Sequence, residues 1–285
     1  VRNPIIKRWS RKLRGRWRAR SLASHGIAIL ARTKNGLLAV QPGDFNVSRA
    51  LLSRGEYDWQ PITWLTKLVN ADSHLVFAGA HIGAVLIPIA RMSGAREILA
   101  FEPSPRNYQL LTMNLRLNEL NGVVARNFAL GQRPGRLSFT ENSINTGNSR
   151  IAESNGEIVV EVDTLDRCVP PDWNSIDLMI MDIEGSEVAA MRGAHEALGR
   201  TRYLYVEFAP WQLREQGSSA TEFLELASRY FKSAYVFGPP VSFLGPGQFT
   251  SYLESMQDRD GFLTNVLFTR DVEADAALMV IDGGG

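Results

Sequence analysis

The sequence predicts an α/β fold. A seven-stranded, Rossmann-like parallel sheet carries helices on both faces, and a β-hairpin and a helix precede it. Three observations predict this. Short apolar runs of strand length alternate with helical periodicity from His74 to Phe231, the pattern of a parallel sheet covered on both sides. A glycine turn, Gly79-Ala80-His81-Ile82-Gly83, follows the first of these runs, where a strand gives way to a helix beside a ligand. Glu102 ends the second run, nineteen residues after Gly83. A nucleotide-binding half-fold places there the carboxylate that accepts from ribose hydroxyls.

The elements follow in order. Residues 1–20 hold nine Lys or Arg and no acid, and Ile5, Trp9, Leu13 and Trp17 recur every fourth position. On a helix these four form an apolar stripe flanked by cations. Such a stripe suits an anionic membrane surface, the protein's own body or a neighbouring subunit. Apolar stretches 28–31 and 37–40 flank Lys34-Asn35-Gly36, a hairpin signal. Residues 59–69 read as a helix. Strands at 74–78, 98–102 and 123–128 alternate with helices at 82–92 and 105–120. Residues 136–140 and 157–162 read as an inserted antiparallel pair around a polar loop, 141–155. Then come a strand at 177–182, a helix at 186–198, a strand at 203–207 and a helix at 220–231. Strands at 233–237 and 262–269 close the sheet, paired through 244–260. The expected units are the arm (1–20), the hairpin and helix packed on the core (21–70), the main domain (71–272) and a loose tail (273–285).

With 285 residues, 45% hydrophobic, the chain can build one large core or two modest ones. Cys168 is the single cysteine, which excludes an internal disulfide framework and fits a reducing, cytoplasmic setting. No run has the length of a membrane-spanning helix, and residues 26–31 are too short and mixed for a secretion signal. Val1 is not Met, so the natural start is expected upstream. Outside the arm, 22 basic and 30 acidic side chains leave a net charge of −8. The body therefore does not read as a nucleic-acid binder.

Ligands of open parallel sheets bind at the carboxyl ends of the strands. There the sequence places Gly79, Glu102, Asn127-Phe128-Ala129, Asp182 and Glu207. A dinucleotide site needs glycine at the first, third and sixth turn positions. Counted back from Gly83 these are Ala78, Ala80 and Gly83, and counted forward from Gly79 they are Gly79, His81 and Ala84. Neither set fits a pyrophosphate. A ribose without one fits better, and S-adenosylmethionine is such a ligand; an ordinary tight turn that binds nothing is the plainer alternative. Glu102 would take the ribose, with Phe128 as an apolar wall and the Asn127 amide at the adenine edge.

Asp182-Ile183-Glu184-Gly185-Ser186-Glu187 puts three carboxylates where a strand passes into a helix. The helix dipole accounts for Glu184 and Glu187. Asp182 ends an apolar strand and should face the cleft, where it can orient a substrate or take its proton, ahead of holding a divalent cation. No His or Cys cluster has zinc-ligand spacing, and no metal is expected.

At these residues the chain resembles FkbM-type methyltransferases. The resemblance rests on Val76 through Gly83, Ala100-Phe101-Glu102-Pro103-Ser104-Pro105, Asn127-Phe128-Ala129-Leu130-Gly131 and Asp182 through Glu187, with Gly55-Glu56-Tyr57 and Gly147-Asn148-Ser149 in support. It runs from about Asn35 to Thr269 and leaves out the basic arm. It implies a class I methyltransferase sheet and S-adenosylmethionine-dependent O-methylation of a sugar, glycolipid, polyketide or related small metabolite. The cofactor-binding set it implies is Gly79, Ala80, His81, Gly83, Glu102, Pro103, Asn127, Phe128, Ala129 and Asp182; the catalytic set is Asp182 and Glu184. The acceptor pocket is expected from 141–155 and 208–217.

One departure stands out. Phe77 lies where the family carries an acid that helps fix the turn and the methionine amino group, and His81 stands where Asn is usual. This motivates a second expectation, a non-catalytic binding or scaffold module that keeps the fold with an altered cofactor turn.

Overall fold

A computed structural model of the chain describes residues 28–140, 150–151 and 158–273. The basic arm, the start of the 21–70 unit, most of the 141–155 loop and nearly all of the tail lie outside the described residues. In chain order the elements are β1 (Ile29–Thr33), β2 (Gly36–Val40), α1 (Val47–Arg54), α2 (Trp59–Leu65), β3 (His74–Ala78), α3 (Leu86–Ser93), β4 (Glu97–Phe101), α4 (Pro105–Leu117), β5 (Val123–Arg126) and β6 (Ala129–Leu130). They continue with β7 (Gly135–Thr140), β8 (Arg150–Ile151), β9 (Ile158–Asp163), α5 (Leu165–Cys168), β10 (Ile176–Met181), α6 (Glu187–Arg192), α7 (His195–Arg200) and β11 (Thr201–Phe208). The last are α8 (Pro210–Glu215), α9 (Ala220–Tyr230), β12 (Ser233–Val236), β13 (Ser242–Leu244), α10 (Gln248–Glu254) and β14 (Thr264–Thr269).

The main sheet runs β13-β12-β14-β11-β10-β3-β4-β5. The five strands from β11 to β5 are parallel, and β14 lies antiparallel between β11 and β12. The sheet has eight strands where the sequence predicts seven. The extra one, β13, pairs antiparallel with β12 at the edge; with three residues it is too short to stand out as an apolar run. A second sheet, β6-β9-β7-β8, contains the inserted antiparallel pair.

Alternation along the strands sends side chains to two cores. Val76, Met179, Met181 and Val206 pack against Val188, Met191, Leu198, Phe223 and Leu253 on one face. Phe77, Leu178, Ile180 and Tyr205 pack against Leu38, Leu51, Ile62, Trp64, Ile87 and Leu111 on the other. This second face is covered partly by the N-terminal hairpin. Its two-residue loop is Lys34-Asn35, with Thr33 paired to Gly36, one residue earlier than the Asn-Gly signal suggests.

Asn114 on α4 and Asn118, which caps the helix one turn later, fasten the hairpin. Asn114 accepts from Ala39 N at 2.6 Å and donates to Ala39 O at 3.1 Å and Ile82 O at 2.8 Å. Asn118 accepts from Leu37 N at 3.1 Å and donates to Leu37 O at 2.9 Å. Their amides complete the edge of β2 much as another strand would.

Helix boundaries depart from the sequence reading for local reasons. The helix expected at 82–92 begins at Leu86, because His81 at φ +49° and Gly83 at φ +85° hold the preceding turn outside helical geometry. The helix expected at 186–198 breaks at Gly193. A Cβ there would lie 2.1 Å from the Gly131 carbonyl oxygen, so the backbone of another loop fills that space. The 59–69 helix ends in a 3-10 turn at Thr66–Leu68, and α1, α8 and α10 were not anticipated. Where caps exist they are ordinary. Ser104 accepts from Asn107 N at 3.2 Å with Pro105 leading α4, and Ser219 accepts from Glu222 N at 3.1 Å ahead of α9.

Candidate active site

Sheet order reverses between β3 and β10. From β3 the chain builds outward to β4 and β5, then returns to lay β10 and β11 on the other side. The carboxyl ends of β3 and β10 therefore diverge into a crevice, the usual ligand position of such sheets. Gly79 and Asp182 are the first residues beyond those two strands.

The turn after β3 is held from both sides. Gly79 N and Ala80 N donate to Phe101 O at 3.0 and 2.9 Å. Asp182 N donates to Ala78 O at 3.0 Å, extending the β10–β3 ladder by one step. Gly79 sits at φ +81°, and a Cβ there would meet the Asp182 carbonyl oxygen at 1.9 Å. Only glycine satisfies both the dihedral and the close approach.

Glu102 is buried at 5% exposure on the crevice wall. One carboxylate oxygen accepts from His81 N at 2.8 Å and the other from Ser104 N at 2.9 Å. The side chain thus ties the glycine turn to the N-terminus of α4. His81 is itself strained at positive φ. Burial lowers its imidazole to about 4, an effect that Asp44 partly opposes.

The acidic segment after β10 divides by role. Glu187 is buried at 3% and accepts from Ile183 N at 3.2 Å and Gly185 N at 3.3 Å. Burial, its largest influence, raises its carboxyl to about 7 despite these donors. Glu187 therefore holds the turn. Glu184, at φ +54°, takes the Gln212 amide. Asp182 opens its side chain onto the crevice. The protein around it raises its carboxyl to about 6, mainly by burial and then by the charge of Asp58.

The crevice encloses a cavity of about 280 Å³. Of the sequence-selected residues, Gly79, Ala80, His81, Glu102, Pro103, Phe128, Ala129, Asp182 and Glu184 line it. Two do not. Gly83 lies beneath the turn, where its N–H bonds Ala80 O at 2.9 Å and a Cβ would press on Ile87 and Leu111. Asn127 donates its amide to Glu102 O at 2.8 Å and Pro103 O at 3.0 Å. Both amide hydrogens brace one strand end against the next, so the amide has no donor left to read a base. Phe77, 2% exposed, forms part of the cavity wall from within the core.

Sequence reasoning missed the contribution of the N-terminal layer. Asn46, Val47 and Tyr57 line the cavity. Tyr57 is delivered by Asn35, which accepts from Tyr57 N at 3.0 Å and donates to Tyr57 O at 2.7 Å and Ala84 O at 2.8 Å. The Gly55-Glu56-Tyr57 motif was its available signal. Trp211 and Gln212 of α8 join the wall, as does Glu207 at the end of β11. Burial, and then Asp182, Glu187 and Asp58, raise Glu207 to about 8. The phenols of Tyr57 and Tyr205 are pushed well above their ordinary value, first by burial and then by the charges of Asp58, Asp182 and Glu207. Among the described residues no three metal-ligating side chains converge, and no helix is long and apolar enough to cross a membrane.

Comparison with known proteins points to one family. The family model described as the methyltransferase FkbM domain matches residues 78–234. Methyltransferase sdnD of Sordaria araneosa is 32% identical over 160 residues, 44% of this chain and 62% of its own. Methyltransferase 1 of Beauveria bassiana (strain ARSEF 2860) is 27% identical over 145 residues, 43% and 58% respectively. The 2-O-methyltransferase NoeI of Sinorhizobium fredii (strain NBRC 101917 / NGR234) is 26% identical over 167 residues, 52% and 68%. The chain thus spans between 58% and 68% of the length of these relatives.

Proposed function

The chain belongs to the FkbM methyltransferase family, and from that membership we propose that it methylates a hydroxyl of a sugar, glycolipid, polyketide or related small metabolite, with S-adenosylmethionine as methyl donor. The observation that carries this reading is one cavity at the switch point of the sheet. It brings together the Gly79 turn, the tethered Glu102 and the open carboxylate of Asp182.

The donor and acceptor groups present fit such a cofactor. Glu102 accepts from His81 N and Ser104 N, with the Asn107 amide nitrogen 3.5 Å from one of its oxygens, and its carboxylate stands on the cavity wall. A carboxylate at that wall suits a ribose hydroxyl. Phe101, Phe128 and Phe139 supply apolar wall for a base. When bound, the sulfonium supplies the methyl carbon and keeps the electron pair of the broken C–S bond. The protein's part is alignment of the acceptor and removal of its proton. Asp182 is the carboxylate for that proton. Glu184, engaged by Gln212, positions the loop around it.

Calorimetric titration with S-adenosylmethionine and S-adenosylhomocysteine tests the reading. Micromolar affinity for both supports it. No detectable binding overturns it and leaves the non-catalytic module, which Phe77 in place of an acid favours. The basic arm we assign to an anionic membrane surface or a neighbouring subunit, testable by vesicle co-sedimentation of the full chain.

A further inference from the structure

Among the described residues, four carboxylates line the cavity: Glu102, Asp182, Glu184 and Glu207. Two are committed to the fold. Glu102 holds the backbone of His81 and Ser104, and Glu184 holds Gln212. The other two differ. Among the described residues, neither Asp182 nor Glu207 receives a hydrogen bond.

These two are also neighbours. Met181 of β10 is in register with Val206 of β11, so the next residues along the parallel pair are Asp182 and Glu207. Adjacent strands lie about 4.8 Å apart, and residues in register share a face. Both side chains therefore leave the sheet on one side, toward the layer that delivers Tyr57. Like charges on neighbouring strands, with no hydrogen-bond donors of their own among the described residues, disfavour ionisation of both near neutrality.

We propose that Glu207 is a second catalytic carboxylate, paired with Asp182 so that the two hold one proton between them and bind the acceptor hydroxyl together. This rests on the hydroxyl-methylating reading above. The protonated member donates a hydrogen bond to the acceptor oxygen, and the ionised member accepts that oxygen's own hydrogen. As the acceptor oxygen bonds to the methyl carbon, its O–H bond breaks and the proton moves to the ionised carboxylate, while the C–S electron pair remains on sulfur. The pair, now carrying two protons, returns one to the cavity solvent.

Burial and charge divide the roles. Asp182 is raised to about 6 and Glu207 to about 8, so near neutrality Asp182 is the ionised member. Among the described residues, Asp58 and Tyr57 before α2, Glu187 at the start of α6 and Tyr205 on β11 itself interact electrostatically with Glu207. None is a cation.

Two measurements decide the matter. In ligand-free protein carrying carbon-13 at its carboxyl positions, Asp182 and Glu207 titrate in separate steps on either side of neutrality. Asp182→Asn moves the Glu207 step down by about one unit or more, while Glu207→Gln leaves the Asp182 step nearly in place, because Asp182 ionises while Glu207 is still neutral. A Glu207 step unmoved when Asp182 is neutralised overturns the pair. The second readout is methyl transfer to glycerol as a probe hydroxyl. Wild-type rates rise through the Asp182 step and fall through the Glu207 step. Glu207→Gln, a fixed mimic of the protonated acid, loses the alkaline fall; a profile still falling there overturns the catalytic role. If the pair titrates as expected but S-adenosylhomocysteine does not bind, the methyl-transfer reading fails while the shared proton stands.

Discussion

The carbonyl oxygen of Asp182 occupies the space in which any residue but glycine at position 79 would carry its Cβ, 1.9 Å away. One contact thus couples the glycine turn after β3 to the residue whose carboxylate opens onto the crevice. Gly79→Ala has to accept φ +81° and displace the Asp182 backbone. We expect a loss of at least about 2 kcal/mol of stability together with weakened S-adenosylhomocysteine binding. Thermal melts and calorimetry on the same preparation check both.

Glu102→Ala removes the acceptor for His81 N and Ser104 N along with the proposed ribose contact. Cofactor affinity should fall about tenfold to a hundredfold, one or two charge-assisted hydrogen bonds. An unchanged dissociation constant by calorimetry would remove Glu102 from the site.

Asp182→Asn keeps shape and removes the proposed proton acceptor. Turnover should drop by roughly 10²- to 10⁴-fold, while affinity for S-adenosylhomocysteine stays within about twofold, since the Glu102 tether is untouched. Comparable turnover in the variant would take Asp182 out of the chemistry.

Asn114→Ala strips partners from Ala39 N, Ala39 O and Ile82 O, all next to a fully buried side chain. Orphaned buried backbone groups make this cost about 2–4 kcal/mol, read from denaturant midpoints. A change below about 0.5 kcal/mol, the level of ordinary surface substitutions, would show that the hairpin is held by its apolar contacts alone.

Stability should decline with rising pH on the alkaline side of the ordinary carboxylate range. Glu187 is raised to about 7 and Glu207 to about 8, so the folded state binds protons that the unfolded chain has released. Their contribution is complete below the unfolded value and is lost as pH passes through the folded value. Melting temperature is therefore expected to fall between about pH 5 and pH 8. Glu187→Gln, which keeps an acceptor for Ile183 N and Gly185 N, should flatten that slope.

Much of the fold is legible because its signals are local. The runs that became β3, β4, β10 and β11 are continuous and apolar, as strands buried on both faces must be. The glycine turn and Glu102 are legible because positive φ and a strand-ending acid leave marks in sequence. Asn127 and Gly83 show where this runs out. An amide reads the same whether it faces a base or braces two carbonyls, and a glycine reads the same on a cavity wall or under it.

By itself, then, the sequence determined the alternation of strands and helices, the methyltransferase family and the acids standing at strand ends, since periodicity and short motifs carry those. Tertiary structure alone decided which acids are spent on backbone and which are left to the cavity. It also decided that Tyr57, delivered by Asn35, belongs to the site and that Asp182 and Glu207 are neighbours. They are twenty-five residues apart in the chain and one strand apart in the sheet. Register between strands is fixed by packing of whole faces, and no local pattern encodes it.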